Sequence, residues 1–369
     1  MIYLDNGATS FHKPGAVRRG VQLAMETCAN PGRGGYPAAA EAARQVFHCR
    51  EQAAKLFDCR EEQVVFTSNC THGLNIAIHS LVRPGGKVLV SGFEHNAVTR
   101  PLYGLEAKTI VAGRKLFDWE NTLSEFEDGL KKGVDAAVFT HVSNVFGYIL
   151  PVEEMAALCR QYRVPFIVDA AQSAGSLHVS LAQLGADFIA MPGHKGLLGP
   201  QGTGLLLCGD MPKPFLRGGT GSESRNPDMP EILPDRLEAG TLNVPGIAGL
   251  GAGIAWLRRR GIGNIFREEQ YQAKRCAEGL RRLGMCVFSG EHQAATVSFL
   301  PGMDCEDAAG LLAKRGIAVR AGLHCAPLAH ESAGTLGSGT VRVSFGHDAA
   351  DHQTKALLRA VSKLPAFQP

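Results

Sequence analysis

The chain has 369 residues, about two and a half times a ~150-residue domain, so a single small module is excluded and two domains are expected. Hydrophobic residues make up 45% and charged residues 20%, enough apolar surface to offset backbone ordering, which excludes bulk disorder. The net charge of +3, from 38 basic and 35 acidic residues, is too weak a surplus for a nucleic-acid footprint.

At the N-terminus Asp5 and Asn6 follow MIYL directly, without a basic leader, and no window of about 18 uncharged apolar residues occurs. A soluble, uncleaved protein without membrane association is expected. A helical pattern over 38–56 is followed by apolar runs at 64–67, 87–91, 136–141, 166–169, 188–191 and 204–208, with a second helix at 152–162 after Pro151. Several runs are apolar on successive residues, the pattern of strands buried under helices on both faces. The order predicts an α/β large domain with a mainly parallel sheet over 15–250. Residues 222–234 are polar with three prolines and read as an exposed loop, a lid or an insertion. A glycine-spaced helix from about 244 and a polar helix at 265–283 bridge into a small α+β domain, 251–369 joined by 1–14. Its predicted strands are 295–300, 317–320 and 340–345, with helices at 306–315 and 349–364. The run Arg258, Arg259, Arg260 reads as a solvated helix face. Ten cysteines without a C-x-x-C are too dilute for a disulfide scaffold and fit reduced thiols in a cytoplasm. No metal site is expected.

Ligands of an open α/β sheet bind beyond the carboxyl ends of its strands, and the residues there are polar: Ser68-Asn69-Cys70-Thr71-His72, Glu94-His95-Asn96, Ser143-Asn144, Asp169 to Gln172 and Gly193-His194-Lys195. One pocket could hold them all. The loop before Thr71 opens a helix, which offers an anion free N–H groups, although small polar residues also cap helices routinely. Asp169 at the end of a buried strand needs a cation or several donors. Lys195 in a comparable place either pairs with it structurally or has a lowered pKa and acts as a nucleophilic amine. An amine, a carboxylate, a flat imidazole and a helix end are the set that pyridoxal 5′-phosphate requires.

The ordered motifs LDNGAT at 4–9, EHNAV at 94–98, HVSNVFG at 141–147, VDAAQSAG at 168–175 and PGHKGLLGPQGTG at 192–204 resemble the class V aminotransferase group of fold type I pyridoxal phosphate enzymes, specifically the cysteine desulfurases. The resemblance covers nearly the whole chain. It implies Lys195 as the lysine bound to the cofactor, Asp169 at the pyridinium nitrogen, and His95 stacked on the ring as a catalytic residue. It also implies Gln172 at the phenolic oxygen, Asn144 at the ring and substrate edge, and Thr71 and His194 at the phosphate. LEAGTLN at 237–243 looks like the segment that carries a phosphate contact, Thr241, into a neighbouring subunit, so a homodimer is implied. Pro192 stands where many relatives have a phosphate-binding serine, and that hydroxyl contact is lost.

RAGLHCAP at 320–327 resembles the catalytic cysteine loop of the group II desulfurases, the Suf-type enzymes and selenocysteine lyase. It implies Cys325 as the persulfide-forming residue. Its thiolate is expected to gain from partial exposure and neighbouring positive charge, with His324 and Arg320 as candidates unless His324 only shapes the loop. Cys49, Cys159, Cys208 and Cys276 read as inert small hydrophobes. VRVSFG at 341–346 puts Arg342 where the family grips the substrate carboxylate, for which a bidentate guanidinium suits better than lysine. Arg33 is a second substrate-side candidate, beside Gly32 where Suf-type relatives often have histidine. The implied reaction converts L-cysteine to L-alanine, the sulfur passing from Cys325 to an unidentified acceptor protein or thiol. The alternatives are an L-selenocysteine lyase, another C–S lyase or transaminase-like enzyme, and a catalytically silent sulfur carrier.

Overall fold

Apolar runs bounded by Gly, Pro and small polar residues form strands buried on both faces in the computed structural model, which describes residues 1–32 and 34–367. In chain order the strands are β1 (Ile2–Tyr3), β2 (Val64–Thr67), β3 (Lys87–Ser91), β4 (Lys108–Ala112), β5 (Ala136–Thr140), β6 (Phe166–Asp169), β7 (Phe188–Pro192), β8 (Gly204–Cys208), β9 (Cys286–Phe288), β10 (Thr296–Leu300), β11 (Ile317–Ala318), β12 (Arg320–Gly322) and β13 (Thr340–Ser344).

The central sheet has the order β2-β8-β7-β6-β5-β3-β4. β8 runs antiparallel to β2 and β7, and the other neighbours pair in parallel. Side chains alternate into two cores: on β5, Ala137 and Phe139 enter one, and Ala136 and Val138 the other. Helix Val152–Tyr162 covers the first face through Val152 and Met155, and helix Cys70–Leu81 the second through Leu74 and Ile78. The chain steps outward from β3 to β4, then returns to β5 and continues the other way. Loops after β3 and β5 therefore part, and a crevice opens beyond the carboxyl ends.

The second sheet, β12-β13-β10-β9, is antiparallel and packs against helices Cys305–Lys314 and Asp351–Val361. β1 pairs in parallel with β11, Asp5 bridges to Ser344, and Leu4 shares a core with Val297, Phe299, Val343 and Leu357. The N-terminal segment is thus built into the C-terminal half. The single strand predicted at 317–320 is two short ones, because the chain changes sheets at Val319: β11 pairs with β1, and β12 with β13. The helix predicted over 349–364 is confined to Asp351–Val361. β4, with Lys108 and Thr109 exposed at the sheet edge, and the three-residue β9 were not predicted. Residues 222–234 carry neither strand nor helix; they are mostly exposed but anchored by the buried Met229. No helix among the described residues is long and apolar enough to cross a membrane.

The predicted division after residue 250 falls inside helix Val244–Arg260, which packs against helices Gly15–Thr27 and Pro37–Phe57. Its glycines permit that closeness. A Cβ on Gly253 would lie 2.5 Å from the Leu197 carbonyl, in the loop that follows Lys195. Across the same loop Gly175 adopts φ +91°, and a Cβ there would lie 2.3 Å from the Gly196 carbonyl. Gly175→Ala is expected to cost about 1–3 kcal/mol from the backbone conformation alone, and more from the clash. A lowered denaturant midpoint checks this; an unchanged midpoint contradicts the close approach.

Candidate active site

One cavity of about 240 Å³ lies beyond the carboxyl ends of β2, β3, β5, β6 and β7, just below the ~300–1,000 Å³ common for small-molecule sites. Thr71, His95, Asn144, Asp169, Gln172, His194, Lys195, Cys325 and Arg342 all line it. Glu94 and Ser143 from the same loops turn into the protein instead.

Asp169 is the last residue of β6, 2% exposed, in register with Thr140 and Ala190 of the flanking strands. Its Oδ1 accepts the Ala171 N–H at 2.8 Å and the Cys70 thiol at 3.4 Å. Burial and the neighbouring carboxylate push the Cys70 thiol well up, so it is a neutral donor. Lys195 lines the cavity three residues beyond the end of β7 and is half-buried. Burial lowers its pKa, while Asp169 pulls in the opposite direction. A dense set of donors fixes its backbone: Ser10 Oγ donates to the carbonyls of His194 and Lys195 at 3.0 Å each, and Lys13 Nζ to His194 O at 2.8 Å. Burial also lowers Lys13, to about 8.

His95 caps helix Asn96–Gly104, its Nδ1 accepting from Ala97 N–H at 3.0 Å. That bond assigns the neutral ring's proton to Nε2, and burial lowers the pKa. His194 is lowered to about 4 by burial, with Lys195 and Lys13 adding to the effect, so it too is neutral near pH 7. Its Nδ1 lies 3.0 Å from Thr9 Oγ1. Asn69 caps helix Cys70–Leu81 through His72 N–H at 2.9 Å, so the ordinary cap is present and Thr71 remains exposed at the cavity wall. Gln172 Nε2 donates to Gly7 O at 3.0 Å.

Cys325 is exposed, on a loop with φ of +50° at His324 and +57° at itself. The loop is tied down from the large sheet: Asn144 Nδ2 donates to His324 O at 2.8 Å, and Asn96 N–H to Cys325 O at 2.7 Å. His324 is 6% exposed and pushed down to about 2, by burial first and then by Arg342. The expectation that it brings positive charge to Cys325 is therefore corrected: His324 is neutral, its Nε2 3.2 Å from Thr340 O, and Arg320 is the cation on this loop. Cys49, Cys159, Cys208 and Cys276 are buried.

Arg342 on β13 is 2% exposed. It donates to Asp5 Oδ1 at 2.6 Å and to Asn144 O at 3.0 Å. Thr241 does not reach this cavity. It is exposed in a separate groove of about 520 Å³ with Asn30, Gly32 and Phe47, beside a buried, bidentate Arg50–Glu238 pair at 3.0 and 2.9 Å. Arg33 lies outside the described residues. Sequence reasoning missed Cys70, Asp5, Ser10, Lys13 and the role of Glu94; LDNGATSF at 4–11 held part of that signal in a motif of small polar residues.

Glu94 is fully buried between strands β3 and β5. Its Oε1 accepts from Ser91 Oγ and from Thr140 N–H at 2.9 Å, Oε2 has no partner, and burial raises its pKa from 4.5 to about 8. Unfolding exposes a carboxyl that ionises near 4.5, so the folded state binds the extra proton between 4.5 and about 8, and stability falls as pH rises through that window. Glu94→Gln is expected to flatten that fall, whose limiting slope for one group is about 1.4 kcal/mol per pH unit. Urea unfolding at about pH 5 and about pH 8 checks it; an unaltered difference between the two contradicts a protonated Glu94.

Residues 2–357 match the family model described as aminotransferase class-V. The chain is 33% identical over 358 residues to a probable cysteine desulfurase of Methanothermobacter thermautotrophicus, covering 91% of this chain and 88% of that one. It is 33% identical over 364 residues to a probable cysteine desulfurase of Pyrococcus abyssi, covering 94% and 89%. The apo structure of a cysteine desulfurase from Thermococcus onnurineus superimposes with a TM-score of 0.90 at 32% identity, over 98% of this chain and 94% of that one. A cysteine desulfurase from Escherichia coli in its S-sulfonic acid form gives a TM-score of 0.83 at 26% identity, again over 98% and 94%.

Proposed function

The chain belongs to the aminotransferase class V family, and from that membership we propose that it is a pyridoxal 5′-phosphate-dependent cysteine desulfurase, converting L-cysteine to L-alanine with a persulfide formed on Cys325. The observation that carries the assignment is the single cavity lined by Lys195, Asp169 and Cys325.

The donor set fits the cofactor. A buried carboxylate with two donors on one oxygen suits a protonated ring nitrogen, and a lysine with a burial-lowered pKa suits an aldehyde. His95 would lie on the ring, Gln172 and Asn144 at its edge, and Thr71 with His194 at the phosphate. Thr9 Oγ1 donates to His194 O at 3.2 Å, beside Lys13 and Ser10, and lies 3.0 Å from His194 Nδ1. His194 with Thr71 would compensate in part for the hydroxyl that Pro192 lacks. When bound, the cofactor supplies an electron sink conjugated to the substrate Cα.

The chain's own residues do the rest. Arg342 orients the substrate carboxylate, and Lys195 Nζ, whose free-amine form burial favours, takes the proton from Cα. Cys325 Sγ, as thiolate, attacks the substrate sulfur. The new S–S bond forms as the S–Cβ bond breaks, and protonation of the carbon fragment yields alanine. An acceptor thiolate then takes the outer sulfur. Exposure of Cys325 suits that hand-over, and the neutral His324 keeps a second cation away from the leaving persulfide. The exposed Phe47 and Tyr36, with Thr241 in its own groove nearby, support a homodimer in which Thr241 reaches the partner's phosphate. Ten free cysteines support a reducing, cytoplasmic setting.

Incubation with L-cysteine and a reductant, followed by alanine and sulfide quantification, tests the assignment. Cys325→Ser is expected to keep the visible absorbance of the bound cofactor and to lose alanine formation at least about 100-fold. Lys195→Ala is expected to lose that absorbance. Alanine formation retained in Cys325→Ser would point to selenocysteine lyase, and pyruvate with ammonia to a β-lyase.

A further inference from the structure

The arginine assigned to the substrate carboxylate already holds an anion. Arg342 Nη2 donates to Asp5 Oδ1 at 2.6 Å and Nη1 to the Asn144 carbonyl at 3.0 Å, while Nε has no partner. The Arg342 side chain is 2% exposed and that of Asp5 19%. The fold builds this pair: the backbone of Asp5 bridges to Ser344, two residues along β13 from Arg342. Two residues further on, a Cβ on Gly7 would lie 3.3 Å from Arg342 Cζ, so the same segment runs across the guanidinium. Arg320 stands directly opposite Arg342 in the β12–β13 register and has no ion-pair partner among the described residues. Facing guanidiniums repel, and a carboxylate beside them relieves the repulsion.

We infer that Asp5 is the specificity-determining residue of the carboxylate subsite: an internal carboxylate that compensates and orients Arg342, and with which any incoming carboxylate competes for the guanidinium. The inference rests on the desulfurase assignment only in taking Arg342 as the residue that meets the substrate carboxylate. With Asp5 ionised, a bare carboxylate gains little, because the buried cation is already compensated. An amino acid gains more, because its amine would also be bound, by the cofactor that Lys195 would hold in the same cavity. The pair thus filters small carboxylates from amino acids without any residue that clashes with them. A neutral residue at position 5 removes the competitor, and the buried guanidinium then takes whatever small anion arrives.

The test uses propionate, which has the carboxylate but neither amine nor thiol, titrated by calorimetry into the wild-type holoenzyme and into Asp5→Asn. Asp5→Asn is expected to bind propionate at least about five-fold more tightly, and to be inhibited by it, in competition with L-cysteine, at correspondingly lower concentration. General damage to the fold does not raise affinity for one ligand, so the gain separates a specificity role from a structural one. Equal or weaker binding by Asp5→Asn, or no binding to either protein, overturns the inference. Should the variant be too unstable to titrate, its thermal midpoint must rise more steeply with propionate than that of the wild type; an equal slope overturns the inference as well. Alanine production by the wild type tests the desulfurase assignment separately. Alanine formed without a propionate difference ends the role of Asp5 alone, and a propionate difference without alanine ends the assignment alone.

Discussion

Asp169 ends β6 and Lys195 lies three residues beyond β7, two paired strands whose side chains are buried on both faces. Each isolated charge at such a place costs several kcal/mol, and the surroundings answer the two charges differently. Asp169 is supplied with two donors, the Ala171 amide and the Cys70 thiol. Lys195 has no comparable acceptor on its ammonium, and burial favours the free amine. That asymmetry suits the proposed roles of lysine as nucleophile and base and of aspartate as counter-ion, roles that require both to hold their places when the cavity fills. The close glycine contacts at Gly175 and Gly253, and the donors on the backbone of residues 194 and 195, are what hold the lysine loop there.

The sulfur loop solves a different problem. In its proposed role Cys325 must be exposed to hand on sulfur, yet stand at a fixed distance from a site built by the other sheet. Two successive non-glycine residues in the left-handed region cost of order 1–3 kcal/mol each, and such conformations persist only where the surroundings over-determine them. Here the surroundings are Asn144 and Asn96, which bond the carbonyls of His324 and Cys325. Asn96 follows His95, so the loop is referenced to the same helix start that fixes the imidazole tautomer. His324 contributes packing and a bond to Thr340 O. A charged imidazole there would face Arg342 and Arg320 in a buried setting, which is why it is neutral.

Much of this was legible in the sequence because a buried parallel strand writes an uninterrupted apolar run and its carboxyl end writes the first polar residue after it. Asp169 follows from that rule, His95, Asn144 and Lys195 lie among the polar residues just beyond the runs and were singled out by the family resemblance, and the strand runs at 64–67, 87–91, 166–169 and 204–208 coincide with β2, β3, β6 and β8. The rule fails where burial is not periodic. β4 is an edge strand with polar, exposed residues at its start, and residues 317–320 write one apolar run that the chain divides between two sheets. Partners distant in sequence were illegible for another reason: nothing in LDNGAT says that its aspartate meets an arginine 337 positions later, or that Ser10 and Lys13 grip a backbone 181 to 185 positions away. Charge states were likewise invisible, since the neutral His324 and protonated Glu94 follow from burial that only the assembled fold supplies.

Those long-range contacts also explain why the first dozen residues, which contribute only one two-residue strand, matter to the site. β1 and Leu4 anchor the segment in the C-terminal half, Asp5 fixes Arg342, Gly7 accepts from Gln172, and Ser10 and Lys13 fix the backbone of Lys195. The segment therefore spans from Arg342, the residue proposed to orient the substrate carboxylate, to Lys195, the residue proposed to handle its α-proton. Between the two contacts residues 6–8 form a turn, closed by Ala8 N–H on Asp5 O at 3.0 Å, so the segment has a fixed, braced shape. A strut of this kind sets the separation of carboxylate and amine by the backbone of one short segment rather than by the packing of two modules. Relative motion of those modules would have to strain the ties at Asp5 or at Ser10 before it could change the distance that an α-amino acid must fit.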